Sequence, residues 1–333
     1  MKLAWPGRMA RQGGGLVLAW DGQVLAYVQA RHEHAQAFRV ERFGVLRRGT
    51  EGEEDFARRL AALGLRGQTA RVMLRPSQYQ ILQIDTPAVA PEELRTAARW
   101  QIRDMVDQHL DDLTLDVLKV GDDRVRTGAG LFVVTAANTV LRDIMQTAQA
   151  ARCSVDVIDI QDLAQRNLQS ALARAGGRLD RAQAAVVIGE DDQALLTISA
   201  NDELFYTRRI DLGAGFMRAR WGTVADGTPG DAGLSLAGAG PETDRGQRLV
   251  VEIQRSLDLW DRTWPMLVLD GILAQAGART VELAGWLGQE LGHSVRPMDV
   301  SALFPGFEGG SEPDRQLCWP LLGVLLRTEG RRL

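Results

Sequence analysis

Four groups of residues in this 333-residue sequence have the types and spacing to do chemistry. Two are turns that join glycine to carboxylates, Asp21-Gly22-Gln23 and Gly189-Glu190-Asp191-Asp192. Glycine leaves backbone N–H groups open to an anion, and carboxylates are hard oxygen donors for a divalent cation. The three consecutive acids at 190–192 also repel a phosphate unless a metal screens them. The third group, Glu252, Arg255 and Ser256, falls at i, i+3 and i+4 on one helix face, where it can contact a ligand. It can equally form a surface ion pair worth roughly a few tenths of a kcal/mol. The fourth is His32-Glu33-His34, whose imidazoles share one side of a strand, but no Cys or Asp cluster completes a metal set. These read as solvated polar residues near a strand end. Asp107 and His109 set an acid beside an imidazole at what reads as a helix end, where His complements the helix dipole. No nucleophile elbow, Walker loop or zinc-spaced pair occurs.

The elements that must position these groups can be read from periodicity. Leu16 to Trp20 and Val24 to Val28 are apolar runs joined by Asp21-Gly22, which predicts a tight type I′ hairpin, and a third strand covers Ala37 to Phe43. A helix from Glu53 to Leu63 ends at Gly64, and strands follow at Ala70–Leu74 and Tyr79–Ile84. Pro91 opens a helix predicted to reach about His109, followed by strands Leu113–Val120 and Gly130–Ala136 around a turn at Gly121-Asp122-Asp123, a helix Val140–Ala151 and a strand Ser154–Ile158. Then the opening pattern returns at Ala185–Ile188, Ala194–Ile198 and Glu203–Ile210. At a gapless offset of 170 residues, Asp21/Asp191, Gln23/Gln193, Leu25/Leu195, Arg39/Arg209 and Val40/Ile210 coincide. That implies an internally duplicated α/β protein. Residues 222–246 are poor in apolar side chains and read as a mobile loop. Helices Leu249–Trp264, Ala278–Leu291 and Leu317–Leu326, with a strand Met266–Leu269, complete the pattern.

Composition narrows the function classes. The length suggests two domains. Net charge is −4 and Lys occurs only at positions 2 and 119, so no basic field is built to hold nucleic acid. No apolar run approaches the ~20 residues of a membrane span, and the N-terminus lacks a signal peptide's apolar core. A cytoplasmic location is expected. Cys153 and Cys318, far apart in sequence and in apolar surroundings, read as buried small hydrophobes rather than a disulfide. Trp260, Trp264 and Trp286 sit beside helical apolar positions and read as core. Arg327, Arg331 and Arg332 lack an apolar face and give marginal membrane attraction.

The stretch Leu74-Arg75-Pro76-Ser77-Gln78-Tyr79, then Ile84-Asp85-Thr86-Pro87, Pro91-Glu92-Glu93-Leu94 and Ala98-Arg99-Trp100-Gln101-Ile102, resembles the inserted subdomain of PilM-type proteins, and in detail their MshI branch from MSHA-type pilus biogenesis. Glu252 to Leu257 and Pro320 to Arg327 agree, so the resemblance runs from about 14 to 327. It implies an α/β, actin-like fold, a duplicated ribonuclease-H-like sheet in two lobes with an inserted small α/β subdomain. The expected first lobe is 14–180, with the insertion at about 70–155, completed by a C-terminal helix at 315–333. The expected second lobe is 181–314 and carries the 222–246 loop. The resemblance further implies a partner, a PilN-like inner-membrane protein whose extended N-terminal cytoplasmic segment lies in a groove of the first lobe, and attachment to the inner membrane through that partner and other pilus platform components.

Actin-like ATPases wrap nucleotide phosphates in two glycine hairpin turns, each following an Asp that manages Mg²⁺. Against that pattern Asp21-Gly22 is too tight a turn, and Val187-Ile188-Gly189 lacks the Asp before its glycine. The resemblance assigns a nucleotide, if one binds, to Asp21, Gly22, Gly189, Asp191, Glu252, Arg255 and Ser256, while Asp270-Gly271 and Ala276-Gly277 match the adenine loop only loosely. The expected function is a non-enzymatic scaffold of a type IV pilus assembly platform without catalytic residues or resident metal. The alternative is an ATP-binding switch with Mg-nucleotide between the lobes.

Overall fold

The computed structural model describes residues 15–34, 37–121, 130–221 and 241–328. The chain opens with an antiparallel meander, β1 (Gly15–Trp20), β2 (Val24–His34) and β3 (Ala37–Arg47). Helix α1 (Glu53–Ala62) follows, with Glu53, Glu54 and Asp55 complementing its dipole and Gly64 stopping it at φ +71°. Strand β4 (Thr69–Leu74) then pairs in parallel with β1. A separate antiparallel sheet, in the order β5-β7-β6, is formed by β5 (Tyr79–Asp85), helix α2 (Leu94–Gln101), β6 (Leu113–Lys119) and β7 (Gly130–Ala137). Helix α3 (Asn138–Ala150) returns the chain to β8 (Ser154–Ile160), which pairs in parallel with β4.

After helix α4 (Gln161–Ala175) the architecture repeats. Strands β9 (Ala182–Ile188), β10 (Gln193–Ala200) and β11 (Glu203–Asp211) form a second meander. Helix α5 (Pro241–Thr263) leads to β12 (Leu269–Gln275), helix α6 (Thr280–Leu291) and β13 (Val295–Pro297), with β12 parallel to both β9 and β13. Helices α7 (Glu312–Cys318) and α8 (Leu321–Leu325) close the described chain. The two five-stranded sheets share one order, β3-β2-β1-β4-β8 and β11-β10-β9-β12-β13. This is the ribonuclease-H-like sheet built twice, with a small sheet inserted in the first copy: the two-lobed actin-like fold.

Several expectations need correction. Both β4 and β8 belong to the first large sheet, so the insertion is narrower than 70–155 and runs between them, with α3 as the crossover that parallel pairing requires. The helix predicted to reach His109 stops at Gln101, because Ala98 and Ile102 already fill the small sheet's face. Val106 and Leu110 then fold back onto the same face, held where Arg99 Nη2 donates to Leu110 O at 2.6 Å. His109 instead caps a short turn, accepting the Asp111 N–H at 3.3 Å. The last helix breaks into α7 and α8 at Pro320. The strand expected at 266–269 begins only at Leu269, and α4 replaces a stretch to which the sequence reading assigns no element. Of the expected loop, 222–240 lies outside the described residues and 241–246 belong to α5; Asp122, Asp123, Arg331 and Arg332 also lie outside.

The duplication is not gapless either. Trp20 pairs with Leu25 across the first turn, and Ile188 with Ala194 across the second, so the second turn holds one residue more. Because side chains alternate across a strand, matching by the wrong offset would pair residues on opposite faces. Leu25 and Ala194 both point away from the lobe interface, and their partners Leu46 and Ile210 are the matching positions on β3 and β11. The Arg39/Arg209 and Val40/Ile210 coincidences are therefore not structural equivalences.

Trp260, Trp264 and Trp286 pack into the second lobe's core, and Cys153 and Cys318 are buried and free. Burial pushes the Cys318 thiol up to about 12 while it donates toward Tyr27 O and Gly44 O. Among the described residues no helix is long and apolar enough to cross a membrane.

Helices α4 and α8 touch where Gly323 lies against the Ala164 backbone, so close that a Cβ there would overlap the Ala164 carbonyl. Gly323→Ala is expected to destabilise the protein by about 1–3 kcal/mol in urea unfolding. Gly285→Ala, at an exposed position of α6 with open space around its Cα, should instead gain up to about 1 kcal/mol.

Candidate functional site

A cleft of about 400 Å³ lies between the two meanders, and both candidate turns reach it. Its wall carries Asp21, Gly189, Glu190 and Asp191 from the turns, with Arg47 from β3, Arg75 and Ser77 after β4, and Arg209 from β11. Helix α4 begins at the same wall with Gln161.

The first turn is not the type I′ turn expected from Asp-Gly, since only Gly22 takes a positive φ, +94°. Asp21 instead caps its own turn, accepting the N–H groups of Gln23 at 2.9 Å and Val24 at 2.8 Å, and its other oxygen lies 3.5 Å from Arg75 Nε. In the second turn Gly189 N–H donates to Gln193 O at 2.9 Å. Asp191 folds back over the glycine: a Cβ on Gly189 would sit 2.5 Å from the Asp191 carboxylate. The bare backbone that glycine offers an anion is thus covered by the chain's own negative charge. Asp192, at φ +54°, faces away and accepts the N–H groups of Gly215 and Met217 at 2.6 and 2.8 Å. Every carboxylate of the second turn except Glu190 is therefore engaged locally.

The trio on α5 is not brought to this cleft. Glu252 pairs with Arg208 of β11 and lies 3.1 Å from Arg255, while Ser256 is fully buried, donating to Glu252 O at 2.7 Å and accepting from Tyr206 at 3.1 Å. Arg208 and Tyr206 on the neighbouring strand complete these side chains, so they fasten α5 to the second sheet. The loose adenine-loop match also divides. Asp270 is enclosed by Arg178, Arg181 and Arg296, and Gly271 makes room for Ser294, whereas the Gly277 turn approaches Gln316 at the cleft. On the far side of the first lobe, Glu33 binds Arg39 at 2.9 Å and His32 packs edge-on to Phe38, while the His34 side chain lies outside the described residues.

Sequence reasoning missed the cleft's cations and its floor. Arg75 had a legible signal, standing just past the carboxyl end of a parallel strand, where α/β sheets bind ligands. Arg209 gave none, because it sits inside an antiparallel strand. Both guanidinium groups keep their Nε and Nη2 buried without hydrogen-bond partners, a cost of about 1–3 kcal/mol for such a group. Beneath them Asp162, fully buried at the start of α4, accepts hydrogen bonds from Tyr79 of the inserted sheet and from Thr207 of β11 (2.5 Å). Arg209 stacks 4.4 Å from the Tyr79 ring centre and donates to Pro76 O at 2.5 Å. Burial, with the Asp162 charge beside it, holds the Tyr79 phenol well above its ordinary value.

These residues do not fit a Mg-nucleotide. The acids that should hold the metal cap their own turns, and among the described residues no cluster of three His, Cys, Asp or Glu side chains is arranged for a metal ion. Guanidinium groups occupy the wall where an actin-like site presents open glycine turns.

No protein-family model matches the sequence, and no curated protein is detectably similar to it. Among solved structures, a PilM-PilN type IV pilus biogenesis complex matches with a TM-score of 0.65 and 18% identity, over 95% of this chain and 97% of that one. Weaker likenesses include the cytoplasmic domain of EpsL, an inner membrane component of the Vibrio cholerae type II secretion system, at TM-score 0.43 and 14% identity over 60% of this chain and 72% of that one. A Bacteroides thetaiotaomicron protein of actin-like ATPase fold and unknown function matches at TM-score 0.45 and 7% identity over 94% and 96%. At 18% identity the first likeness speaks for the fold.

Partial screening from water raises the Glu190 carboxyl above its ordinary 4.5, opposed by Arg47 and Arg75 and reinforced by Asp314 and Asp191. Its ionisation weakens the fold, so its contribution is favourable below the ordinary value and is lost as pH rises through the higher folded value. Glu190→Gln should raise the melting temperature slightly at neutral pH, and the gain should vanish in acid well below 4.5.

Proposed function

We propose that this chain is a PilM-like scaffold, of the MSHA-type branch, in the inner-membrane assembly platform of a type IV pilus. On this reading it stands on the cytoplasmic face of the inner membrane, holds the extended N-terminal segment of a PilN-like protein, and does no chemistry of its own. The observation that carries the reading is the end-to-end likeness to a PilM solved together with PilN, which covers nearly all of both chains. The sequence motifs at 74–102 that resemble the family's inserted subdomain support it independently. The cleft supports the non-enzymatic part, because Asp21 and Asp191 are spent on turn caps and the glycine turn is covered. That same geometry weighs against the nucleotide-switch alternative.

The inserted sheet offers a place for an extended peptide. Among the described residues strand β6 is an edge of the small sheet, and a shallow groove runs beside its start along α3, lined by Thr114, Asn138, Leu141, Arg142 and Met145. Met145 is 46% exposed there, an apolar anchor available to an alternate side chain of a bound strand.

Fluorescence anisotropy with the labelled cytoplasmic N-terminal peptide of the PilN-like protein from the same organism tests this. Saturable binding is expected, with Met145→Arg weakening it about tenfold or more and Val281→Arg, exposed on the second lobe, leaving it unchanged. No binding, or equal loss in both variants, would count against the scaffold reading.

A further inference from the structure

Helix α2 covers the inserted sheet with Ala98, followed by Ile102, which leaves its opposite side as protein surface. An exposed helix side is ordinarily polar, yet Trp100 stands there 65% exposed, with Met105, 49% exposed, in the turn that follows. Every other described tryptophan is buried or half-buried. Among the described residues the Trp100 ring stacks on no aromatic or cationic group, and its indole N–H donates to no protein atom. Glu93 and Ala97 line up with Trp100 at i, i+4 and i+7, so a carboxylate and a small residue precede the indole along one side of the helix. Residues 79–119 hold eight acids against four bases, a net −4 that equals the charge of the whole chain, so the rest of the sequence is balanced. The arginines of α2 and its turn are engaged within the insertion: Arg95 lies 3.3 Å from Asp116, Arg99 2.9 Å from Asp111 and Arg103 3.6 Å from Asp104. Asp85, Glu92, Glu93, Asp107 and Asp112 are exposed and have no cation beside them among the described residues.

We propose that the outer face of α2, with the turn at 102–105, docks a basic segment of a partner protein, an Arg or Lys of which lies on the Trp100 indole while neighbouring cations pair with Glu93 and the other uncommitted acids. The protein makes the same arrangement internally, where the Arg279 guanidinium lies 3.6 Å from the centre of the Trp221 ring and its Nε donates to Glu282 at 2.8 Å. An aromatic face attracts a cation through its quadrupole, and carboxylates around it steer the approach. The surplus of negative charge argues against nucleic acid or an anionic membrane as the occupant. The face shares no residue with the groove along α3, so failure of the PilN-like reading leaves it standing, and the reverse holds.

The test is fluorescence anisotropy of labelled octa-arginine and octa-glutamate peptides with the full-length protein at low salt, repeated at high salt. Octa-arginine is expected to bind saturably and to weaken as salt rises, and octa-glutamate not to bind. Trp100→Ala should weaken octa-arginine about fivefold while Trp100→Phe keeps most of the affinity. Glu92→Gln combined with Glu93→Gln should weaken it by a similar factor, and Glu290→Gln, exposed on the second lobe, should leave it unchanged. All these positions are exposed, so each variant is expected to keep the native melting temperature. In protein labelled with fluorotryptophan, the fluorine resonance missing from Trp100→Phe should move on titration while that of buried Trp260 stays in place. No saturable binding, binding indifferent to Trp100→Ala, binding of octa-glutamate at this face, or self-association that Trp100→Ala abolishes would overturn the proposal.

Discussion

The molecule depends on one helix that is buried almost all round and yet is largely polar. Helix α4 lies between the two large sheets, and its Asp162, Gln165, Arg166, Asn167, Gln169 and Ser170 are all buried. Gln165, Arg166 and Gln169 reach partners across the lobe boundary. Gln165 Nε2 contacts Ala185 O, Leu195 O and Thr197 Oγ1 at 2.9–3.1 Å; Gln169 Nε2 donates to Gln183 O at 2.8 Å while its Oε1 accepts from Thr197. Asn167 donates to Gly323 O at 3.0 Å on the side of α8. Such bonds contribute only about 1 kcal/mol each when made, but a buried group left unmade costs about 1–3 kcal/mol. The two lobes therefore have one register against each other in which the amide donors of Gln165, Asn167 and Gln169 are served, and sliding or opening them strands several at once.

The inserted sheet adds a second tie. Val120 and Phe132 pack into the second lobe's core beside Phe205, and Gly121 N–H donates to Leu204 O at 2.9 Å, an approach that no side chain at 121 would permit. Tyr79, Asp162 and Thr207 join insertion, central helix and second lobe in one buried hydrogen-bonded group. In an actin-like frame the cleft is normally the place where lobes move. Here its floor is fastened from below by α4 and from the side by the insertion, which suits a body that presents a fixed surface to partners more than one that closes and opens.

How far the sequence exposed this follows from where the signals are local. Most strands and helices are set by alternation, apolar spacing and Gly or Pro punctuation, and they stand close to where periodicity puts them, whereas the strand expected at 266–269 begins only at Leu269. Helix α4 left no amphipathic stripe, because both its faces are buried and its polar residues are satisfied by the tertiary partners just described; periodicity cannot report a helix with no solvent side. The repeat register failed for a different reason: the matching positions are Trp20/Ile188 before the turn and Leu25/Ala194 after it, and the extra residue of the second turn shows in sequence only as a slightly worse alignment. At the site, the fold brings Asp21, Gly189 and Asp191 to one cleft. Glu252, Arg255 and Ser256 are not brought there, because Arg208 and Tyr206 on a strand far away in sequence complete them. The arginines of the cleft come from three separate elements, and only the fold assembles them.

The two lobes, tied by α4 and the insertion, form one fixed body. Spin labels at Arg58→Cys on α1 and Glu290→Cys on α6, exposed positions in opposite lobes, allow the distance between lobes to be measured by pulsed electron resonance while both native cysteines stay buried. The account requires a single narrow distance distribution that is the same for the free protein, with Mg-ATP and with the partner peptide. A broad distribution in the free protein, or a shift of several ångström on adding nucleotide, would show that the lobes move as a switch and would contradict it.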